Sequence, residues 1–488
     1  MKILIGFCFL LAATCLQAQK LYIDSLKLDV YTPTGDNSSG RALILFSHAG
    51  SFLPPTFTQP LTKAINGTKG DSCLVELCTR FAKRGFVAAS FEYRLGWNPA
   101  SPNQETRTST IINAVYRGMH DAKACIRYFT ANAAQYKIDP NKIILAGTNS
   151  GAYVALLAGN LNRPDEIGIF KFLDSIGNPF IDTTVWGNYE GENGALEYYA
   201  NPGSSSDFQL VLSLGGDVGD TTWVDAGEVP VIAFHGVADA LSPYLTDIVT
   251  TGATQTPIIE VSGPGDYIPT GDALGNQDPL KGGSFCDGPA STDGNVYEGL
   301  RPFFGGPTVG FEPWGWYDTA HAANPLSSRT RGMAYIDTIM DYSIQRIYRA
   351  LFDGSYVDDC PATDDPLPES FASATRVNNV TYAWNYSVIA TAEDQTGFNV
   401  GIGNVSADVA VDVYPNPSSS DVTIALKDAS QTIKAISLFD AAGKLVKTEA
   451  VKNASRYTFS RKGIEAGAYF LNIQFTEGGQ TFRTIMFE

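Results

Sequence analysis

The stretch Lys142-Ile-Ile-Leu-Ala-Gly-Thr-Asn-Ser-Gly151 decides the fold class of this chain. Its first five residues form a short, nearly continuous apolar run, which is typical of a strand buried on both faces of a parallel sheet. Small residues follow at Gly147, and a helical pattern begins at Gly151. A buried strand that turns into a helix is the basic step of an α/β fold.

Strand and helix patterns alternate on both sides of this stretch. An opening strand is predicted over 21–32, and helices are predicted over 72–84, 111–136 and 333–351. Further buried strands are predicted over 41–47, 86–91, 208–212 and 229–234. The alternation predicts an α/β domain with a doubly wound, mostly parallel sheet and right-handed crossovers.

Two segments, 162–207 and 246–327, do not follow the alternation and are rich in Gly, Pro, Asn and aromatic residues. Insertions of this kind either lie over the C-terminal edge of the sheet and shape a pocket, or simply pack as loops. The second insertion contains aromatic side chains that line an apolar acyl or sugar site, or alternatively form a satellite core. They are Phe303, Phe304, Phe311, Trp314, Trp316 and Tyr317.

The N-terminus and the overall charge predict an exported protein. Residues 1–18 begin with Lys2, continue with an apolar run over 3–13 and end at a small-residue cleavage site at Ala18, which is the pattern of a signal peptide. No later apolar stretch is long enough to cross a bilayer. The net charge of −17 argues against nucleic acid as a partner.

Five cysteines remain once residues 1–18 are removed. Export permits disulfides, and the odd number predicts at least one thiol that is free or paired elsewhere. No cysteine or histidine spacing indicates a metal, and neither a GxGxxG turn nor a P-loop indicates a cofactor. The five are Cys73, Cys78, Cys125, Cys286 and Cys360.

The composition changes after the predicted α/β domain, which we place at 19–355. Residues 356–408 are predicted to be a linker or an extended region. Residues 409–488 show short segments with a β-rhythm separated by turn residues, which predicts a small C-terminal antiparallel β-sandwich.

Three motifs in this tail resemble the type A sorting domain of the type IX secretion system. They are Val413-Tyr-Pro-Asn-Pro417, Ser437-Leu-Phe-Asp-Ala-Ala-Gly-Lys-Leu-Val446 and Gly463-Ile-Glu-Ala-Gly-Ala-Tyr-Phe-Leu471. The resemblance implies that secretion-system components recognise residues 409–488 after export through the periplasm and then cleave this domain off. The protein is then secreted or attached to the cell surface.

Three motifs in the larger domain resemble the carboxylesterase-like members of the α/β-hydrolase superfamily. The first runs from Asp121 through Ile138-Asp-Pro140 to Gly147, where that family has a helix, a turn and the strand before the nucleophile. Ser47-His-Ala-Gly-Ser-Phe52 is similar to the family's oxyanion loop, and Pro230-Val-Ile-Ala-Phe-His-Gly-Val-Ala-Asp239 is similar to the segment that ends in the catalytic acid.

The resemblance implies a set of site residues. Asp239 would be the acid, and the loop His48, Ala49 and Gly50 would bind the oxyanion together with the backbone amide of residue 150. The family spacing Gly-x-Ser-x-Gly falls on Gly147 to Gly151 and puts Asn149 at the nucleophile position.

An asparagine at this position leaves three hypotheses open. Acyl transfer has been lost and the pocket only binds a ligand, or Ser150 replaces the nucleophile through an altered turn, or Asn149 deamidates to an aspartate nucleophile.

The general base is selected among four histidines. His48 belongs to the oxyanion loop, His120 lies in a predicted helix, and His235 lies at a strand end. His321 remains, and it follows Asp239, so that the chain order of nucleophile, acid and histidine is kept. It is either the base or an ordinary loop histidine.

Two functions follow from these residues. The first is an ester hydrolase, with an atypical nucleophile elbow, that acts on extracellular small-molecule or polymer esters. The second is a pseudoenzyme that binds a ligand at the cell surface with the same pocket.

Overall fold

A computed structural model describes most of the chain. The described residues are 21–53, 67–195, 199–239, 241–251, 256–286, 296–303, 329–352, 354, 356, 367–388, 411–427, 432–440, 445–476 and 480–487. The chain divides into two compact units, of which one spans Asp24–Tyr386 and the other includes Ser387–Glu488.

The larger unit alternates strands and helices. Its strands are β1 (Leu21–Pro33), β2 (Arg41–Ser47), β3 (Val87–Phe91), β4 (Ile138–Thr148), β5 (Leu210–Leu214), β6 (Val231–Gly236), β7 (Asp247–Thr250), β8 (Pro257–Val261), β9 (Leu300–Phe303) and β10 (Ala374–Val388). Its helices are α1 (Ser72–Lys83), α2 (Gln104–Ala131), α3 (Ala133–Tyr136), α4 (Ser150–Asn160), α5 (Thr183–Trp186), α6 (Pro264–Ala273) and α7 (Arg329–Phe352).

Eight of these strands form one sheet in the order β10-β1-β3-β2-β4-β5-β6-β9. The neighbours from β3 to β9 pair in parallel, and β1 pairs with β3 antiparallel. β7 and β8 form a separate antiparallel hairpin.

The sheet is covered on both faces. All residues of β2, β3, β5 and β6 are buried, as expected for continuous apolar strands between two helical layers. Alternate strand residues share one core with the apolar faces of α1 and α7. α4 lies on the opposite face, where Gly159 approaches the side chain of Val211. The predicted doubly wound α/β fold class is confirmed.

One strand of the sheet lies where the sequence predicted none, since β9 belongs to the insertion 246–327. β10 lies inside 356–408, which was predicted to be a linker or an extended region. The compact unit that spans Asp24–Tyr386 includes most of β10. α2 also begins earlier than residue 111, because the Asn103 side chain accepts a hydrogen bond from the Glu105 N–H and caps the helix.

The C-terminal unit consists of antiparallel strands. They are β11 (Val411–Tyr414), β12 (Val422–Leu426), β13 (Ile433–Asp440), β14 (Leu445–Ala454), β15 (Arg456–Phe459), β16 (Gly467–Phe475) and β17 (Gln480–Phe487). A three-stranded sheet (β11-β12-β15) and a four-stranded sheet (β14-β13-β16-β17) contribute to one apolar core. This confirms the predicted small antiparallel β-sandwich.

The cysteines and the helices bear on the environment of the protein. Cys73, Cys78 and Cys125 are buried thiols. Cys286 is disulfide-bonded, and its partner lies outside the described residues, as does Cys360. None of the described helices is long and apolar enough to cross a membrane.

Candidate functional site

Asn149 lies in the turn between β4 and α4 with φ 46° and ψ −116°. Its N–H donates to the carbonyl of Leu214 (2.8 Å), and its own carbonyl accepts from the N–H of Ala152 (2.8 Å). This backbone conformation is rare for a residue with a side chain and indicates strain held by its surroundings. A strained strand-to-helix turn is the geometry of a hydrolase nucleophile.

The two glycines around Asn149 are required by close backbone packing. A Cβ on Gly147 would overlap the backbone of Gly151, and a Cβ on Gly151 would overlap the carbonyl of Ser47 at the end of β2. The turn thus has small residues two positions before and after Asn149. Position 149 is the apex of the turn, and position 150 is the first residue of the helix.

The side chain of Ser150 contacts the loop after β2. Its Oγ accepts a hydrogen bond from the Ser51 N–H (3.0 Å) and lies 3.3 Å from the Tyr93 hydroxyl. Tyr93 in turn donates to the carbonyl of His48 (2.8 Å). Ser150 is buried, and these contacts join α4 to the segment that follows β2.

The segment His48 to Gly50 has the features of an anion-binding loop. Gly50 has φ 128°, and a Cβ there would lie 2.8 Å from the Cα of Gly67, so only glycine fits. The first N–H groups of α4, beginning with Ser150, have no carbonyl within their own helix, and the helix dipole favours negative charge at this end. Backbone amides from both segments therefore meet at one edge of the sheet.

His48 is buried within this loop and is uncharged at neutral pH. Its ring stacks on Tyr93 with centroids 4.4 Å apart, and Nδ1 donates to the carbonyl of Ala49 (2.6 Å). Burial lowers the pKa of His48 to about 4. The side chain thus supports the loop as a neutral ring.

A second loop, which the sequence did not single out, supports the first. Trp97 Nε1 donates to the carbonyl of Ser51 (2.7 Å), and the N–H of Gly96 donates to the carbonyl of Phe52 (2.8 Å). Ser51 and Phe52 both have positive φ, 53° and 58°. This loop after β3 therefore fixes a strained part of the chain next to Ser150.

Asp239 lies three residues beyond the end of β6 and is buried. Its Oδ1 accepts hydrogen bonds from the N–H groups of Leu241 (2.8 Å) and Ser242 (3.1 Å). A second buried carboxylate, Asp217, follows β5, and the Ser242 hydroxyl donates to it (2.9 Å). Asp217 was not predicted from the sequence, although Gly215-Gly216 directly after a buried strand is a local sign of a functional turn.

Three of the four histidines have defined contacts. His120 Nε2 lies 2.9 Å from the carbonyl of Asn188, and His235 Nε2 lies 2.7 Å from the carbonyl of Ser242. His321 lies outside the described residues, in the connection between β9 and α7. Of the six aromatic residues that the sequence singled out in the insertion, Phe303 alone is described, and its ring packs on Tyr335 at 4.6 Å. In the described part of the chain no cluster of three or more His, Cys, Asp or Glu side chains could bind a metal.

The position of the site follows from the strand order. After β2 the chain leads to α1 on one face of the sheet, whereas after β4 it leads to α4 on the other face. The carboxyl ends of two such neighbouring parallel strands form the crevice where open α/β sheets bind ligands. The loop 48–50 and Asn149 lie at these two strand ends, and Asp217 and Asp239 follow the next two strands along.

Two protein-family models match the chain. Residues 28–184 match the family described as BD-FAE, and residues 412–488 match the secretion system C-terminal sorting domain. The first match contains the loop 48–50 and Asn149 and ends before Asp217. Both resemblances inferred from the motifs, to an esterase-like α/β-hydrolase and to a sorting domain, are confirmed.

Solved structures of esterase 2 from Thermogutta terrifontis are similar to this chain. The enzyme phosphorylated by paraoxon is 17% identical, with a TM-score of 0.34, over 64% of this chain and 88% of that chain. The native enzyme is 17% identical, with a TM-score of 0.32, over 64% of this chain and 86% of that chain. Curated proteins give no match.

Proposed function

We propose that this chain, an esterase-like α/β-hydrolase domain followed by a C-terminal secretion sorting domain, recognises carboxylic esters without transferring their acyl group to a serine. The observation that supports this is the geometry at Asn149. The apex of the elbow has the strained conformation of a nucleophile but bears a carboxamide, which is a poor nucleophile. The adjacent Ser150 hydroxyl is engaged with Ser51 and Tyr93.

The rest of the site supports ester recognition. The loop 48–50 and the N-terminus of α4 can bind the carbonyl oxygen of a small-molecule or polymer ester. Asp239 would be the acid and His321 the base of the ancestral reaction, in the usual chain order after position 149. In the proposed binder these two residues contribute polar contacts to the ligand.

An ester hydrolase that uses Ser150 is the second candidate. The strain retained at Asn149 favours it, since such strain persists at functional sites and costs about 1 to 3 kcal/mol. In that case the Ser150 hydroxyl must donate its proton to the base and give up its contact with the Tyr93 hydroxyl. Deamidation of Asn149 to an aspartate nucleophile is a third route, and intact-mass analysis would detect it.

The sorting domain indicates export, to the cell surface or the medium. We propose that residues 1–18 are the signal peptide and that the chain crosses the periplasm before residues 409–488 are recognised and cleaved. The disulfide at Cys286 fits this, because disulfides persist in oxidising compartments.

The decisive experiment compares the mature chain with Asn149→Ser, Asn149→Ala and Ser150→Ala in the hydrolysis of p-nitrophenyl acetate and butyrate. For a binder, the unaltered chain should be as inactive as Asn149→Ala. Asn149→Ser should then gain at least about 100-fold, because acyl transfer without a nucleophile lacks its main step. A fluorophosphonate should label the Asn149→Ser variant, and peptide mapping should find the label at position 149 only.

Other outcomes separate the candidates. Activity of the unaltered chain that is lost in Ser150→Ala would establish the Ser150 hydrolase and reject the binder. Activity that survives in Ser150→Ala but not in Asn149→Ala, with a mass increase of one unit, would establish the deamidated form. Inactivity of every variant would show that the acid and base are not assembled around position 149.

A further inference from the structure

A cluster of polar side chains lies next to Asp239, at the ends of β5 and β6. It consists of Tyr153 on α4, Asp217 after β5, His235 at the end of β6, and Ser242 in the loop after Asp239. The side chains of Asp217, His235 and Ser242 are all buried. No role in ester recognition described so far requires this cluster.

Ser242 is bound at each of its polar atoms. Its N–H donates to Asp239 Oδ1 (3.1 Å), and its carbonyl accepts from His235 Nε2 (2.7 Å). Its hydroxyl contacts Asp217 Oδ2 (2.9 Å), the carbonyl of Gly215 (3.1 Å) and the Tyr153 hydroxyl (2.7 Å). Because the amide and the hydroxyl belong to one residue, a shift at Asp217 is transmitted directly to the contact with Asp239.

The two oxygens of Asp217 have different surroundings. Oδ2 accepts from Ser242 and from the Tyr153 hydroxyl, whereas Oδ1 lies 4.0 Å from His235 Nδ1. His235 Nε2 faces a carbonyl, so it bears a proton. An asparagine at position 217 could place its oxygen at Oδ2 and its amide toward His235 Nδ1, and would therefore keep the contacts to Ser242 and Tyr153.

The ionisable groups around Asp217 come from several elements. Tyr153 faces it from α4, His235 from β6, Asp239 from the next loop and Tyr267 from α6. Burial raises the pKa of Asp217 to about 6. The contacts at Oδ2 need only an acceptor, so they can form whether Asp217 is ionised or protonated.

We propose that Asp217 is a positioning residue, which holds the Ser242 hydroxyl so that the Ser242 amide fixes the carboxylate of Asp239. The role of Asp239 in the site rests on the proposed function, whereas the mechanical link from Asp217 to Asp239 does not. The link assigns a use to a carboxylate that is otherwise costly to bury.

Hydrogen exchange of the mature chain tests the link without any need for turnover. The readout is the exchange of the backbone amides of Leu241 and Ser242, which donate to Asp239. Asp217→Ala and Ser242→Ala should both raise it about tenfold or more, with little change in α1 or α2. Asp217→Asn should leave it within about twofold of the unaltered chain, since the acceptor at Oδ2 is kept.

Tyr267→Phe is the matched control, because it removes a buried hydroxyl on α6 that is not among the Ser242 contacts described above. It should leave exchange at 241–242 unchanged. Unchanged exchange in Ser242→Ala, the smaller of the two truncations, would overturn the link even if Asp217→Ala does not fold. An equal increase throughout the domain in both variants would also overturn it.

The two proposals fail in different ways. If Asn149→Ser gains no esterase activity, the proposed function fails, and the exchange result still stands by itself. If Asn149→Ser is active, adding Ser242→Ala should lower kcat about tenfold or more with little change in KM, as expected for a misplaced acid.

Discussion

Asn149 has a backbone conformation that glycine adopts with less strain than any other residue. Its φ of 46° with ψ of −116° lies outside the regions allowed to residues with a Cβ. Asn149→Gly should therefore be more stable than Asn149→Ala, by about 1 kcal/mol in urea unfolding of the mature chain. Both variants lose the carboxamide, so the difference between their free energies of unfolding reports the strain of the backbone.

A helix interior provides the control for this comparison. At Ile111, inside α2, the Ala variant should have a free energy of unfolding about 1 kcal/mol higher than the Gly variant, which is the usual order in helices. If Ala were the more stable residue at position 149 as well, the turn would not be strained in solution. The persistence of the elbow without its serine would then need another explanation.

Asp217 should make stability depend on pH. Its folded pKa of about 6 lies above the ordinary value of 3.8, because burial disfavours the charge. The folded state thus binds the proton more tightly than the unfolded state does. The stability that results is fully present below about pH 4 and is lost as the pH rises through about 6. From about pH 4 to about pH 7, the unfolding free energy of Asp217→Asn should gain about 2 kcal/mol relative to the unaltered chain.

Asp174→Asn is a control of opposite sign. Backbone N–H groups, first that of Asn178, lower the pKa of the exposed Asp174 carboxyl. The ionised carboxyl therefore stabilises the unaltered chain above the unfolded pKa, and this stability is lost as the pH falls. Denaturant midpoints would measure both differences, provided that those for Asp174→Asn are extended to pH values below the ordinary pKa of 3.8. A pH-independent difference for Asp217→Asn would show that this carboxyl titrates normally.

At the scale of elements, the loop after β3 depends on one buried ion pair. Arg94 Nε lies 2.9 Å from Asp121 Oδ1 on α2, and the Arg94 N–H donates to the same carboxylate (2.7 Å). Asp121→Asn removes this carboxylate charge from beside a buried guanidinium and should destabilise the domain by about 3 to 5 kcal/mol. Chemical denaturation measures this loss.

An exposed ion pair provides the comparison. Asp278→Asn removes a partner of Lys281 at a surface where the two side chains are 67% and 39% exposed, and should change stability by less than about 1 kcal/mol. Equal losses for Asp121→Asn and Asp278→Asn would mean that the loop after β3 is not held by the buried pair. The contacts of Trp97 and Gly96 would then be sufficient to support it.

The strands and helices that could be predicted are those with a clear local pattern of apolar residues. The range 41–47 was predicted as a strand and is β2, because all seven residues are buried between two helical layers. β9 was missed because it has only four residues, including Arg301 and Pro302, and an edge strand tolerates both. β10 lies in the predicted linker or extended region, and its pairing with the sheet could not be predicted because its residues are largely polar and exposed.

The same distinction applies to the site. Asn149, Asp239 and the loop 48–50 could be predicted as candidates because each lies within three residues of the end of a buried strand, in a motif of known spacing. The engagement of Ser150 with Ser51 could not, because it joins residues 99 apart in the chain. The contacts of Asp217 could not be predicted either, since its partners come from α4, β6 and the loop after Asp239. Such contacts exist only after the sheet has formed.

At the scale of the whole molecule, the two compact units predict a division of labour that can be separated experimentally. Each unit has its own apolar core, and the family match to a sorting domain, 412–488, falls entirely within the second. A chain that ends at residue 408 should therefore fold with the thermal transition of the hydrolase unit and keep its ligand binding. In a bacterium with a type IX secretion system it should accumulate in the periplasm, because the segment that the translocon recognises is missing.

A reciprocal fusion tests whether the sorting domain is sufficient for export. A fluorescent protein placed between residues 1–18 and residues 409–488 should reach the cell surface or the medium, as measured by fractionation and immunoblotting. Release of the chain ending at residue 408 would place the secretion signal in the hydrolase unit. Retention of the fusion would show that the sorting domain is insufficient without that unit, and both results would contradict independent roles for the two units. If both expectations hold, the hydrolase unit is cargo, and export does not depend on which residue stands at position 149.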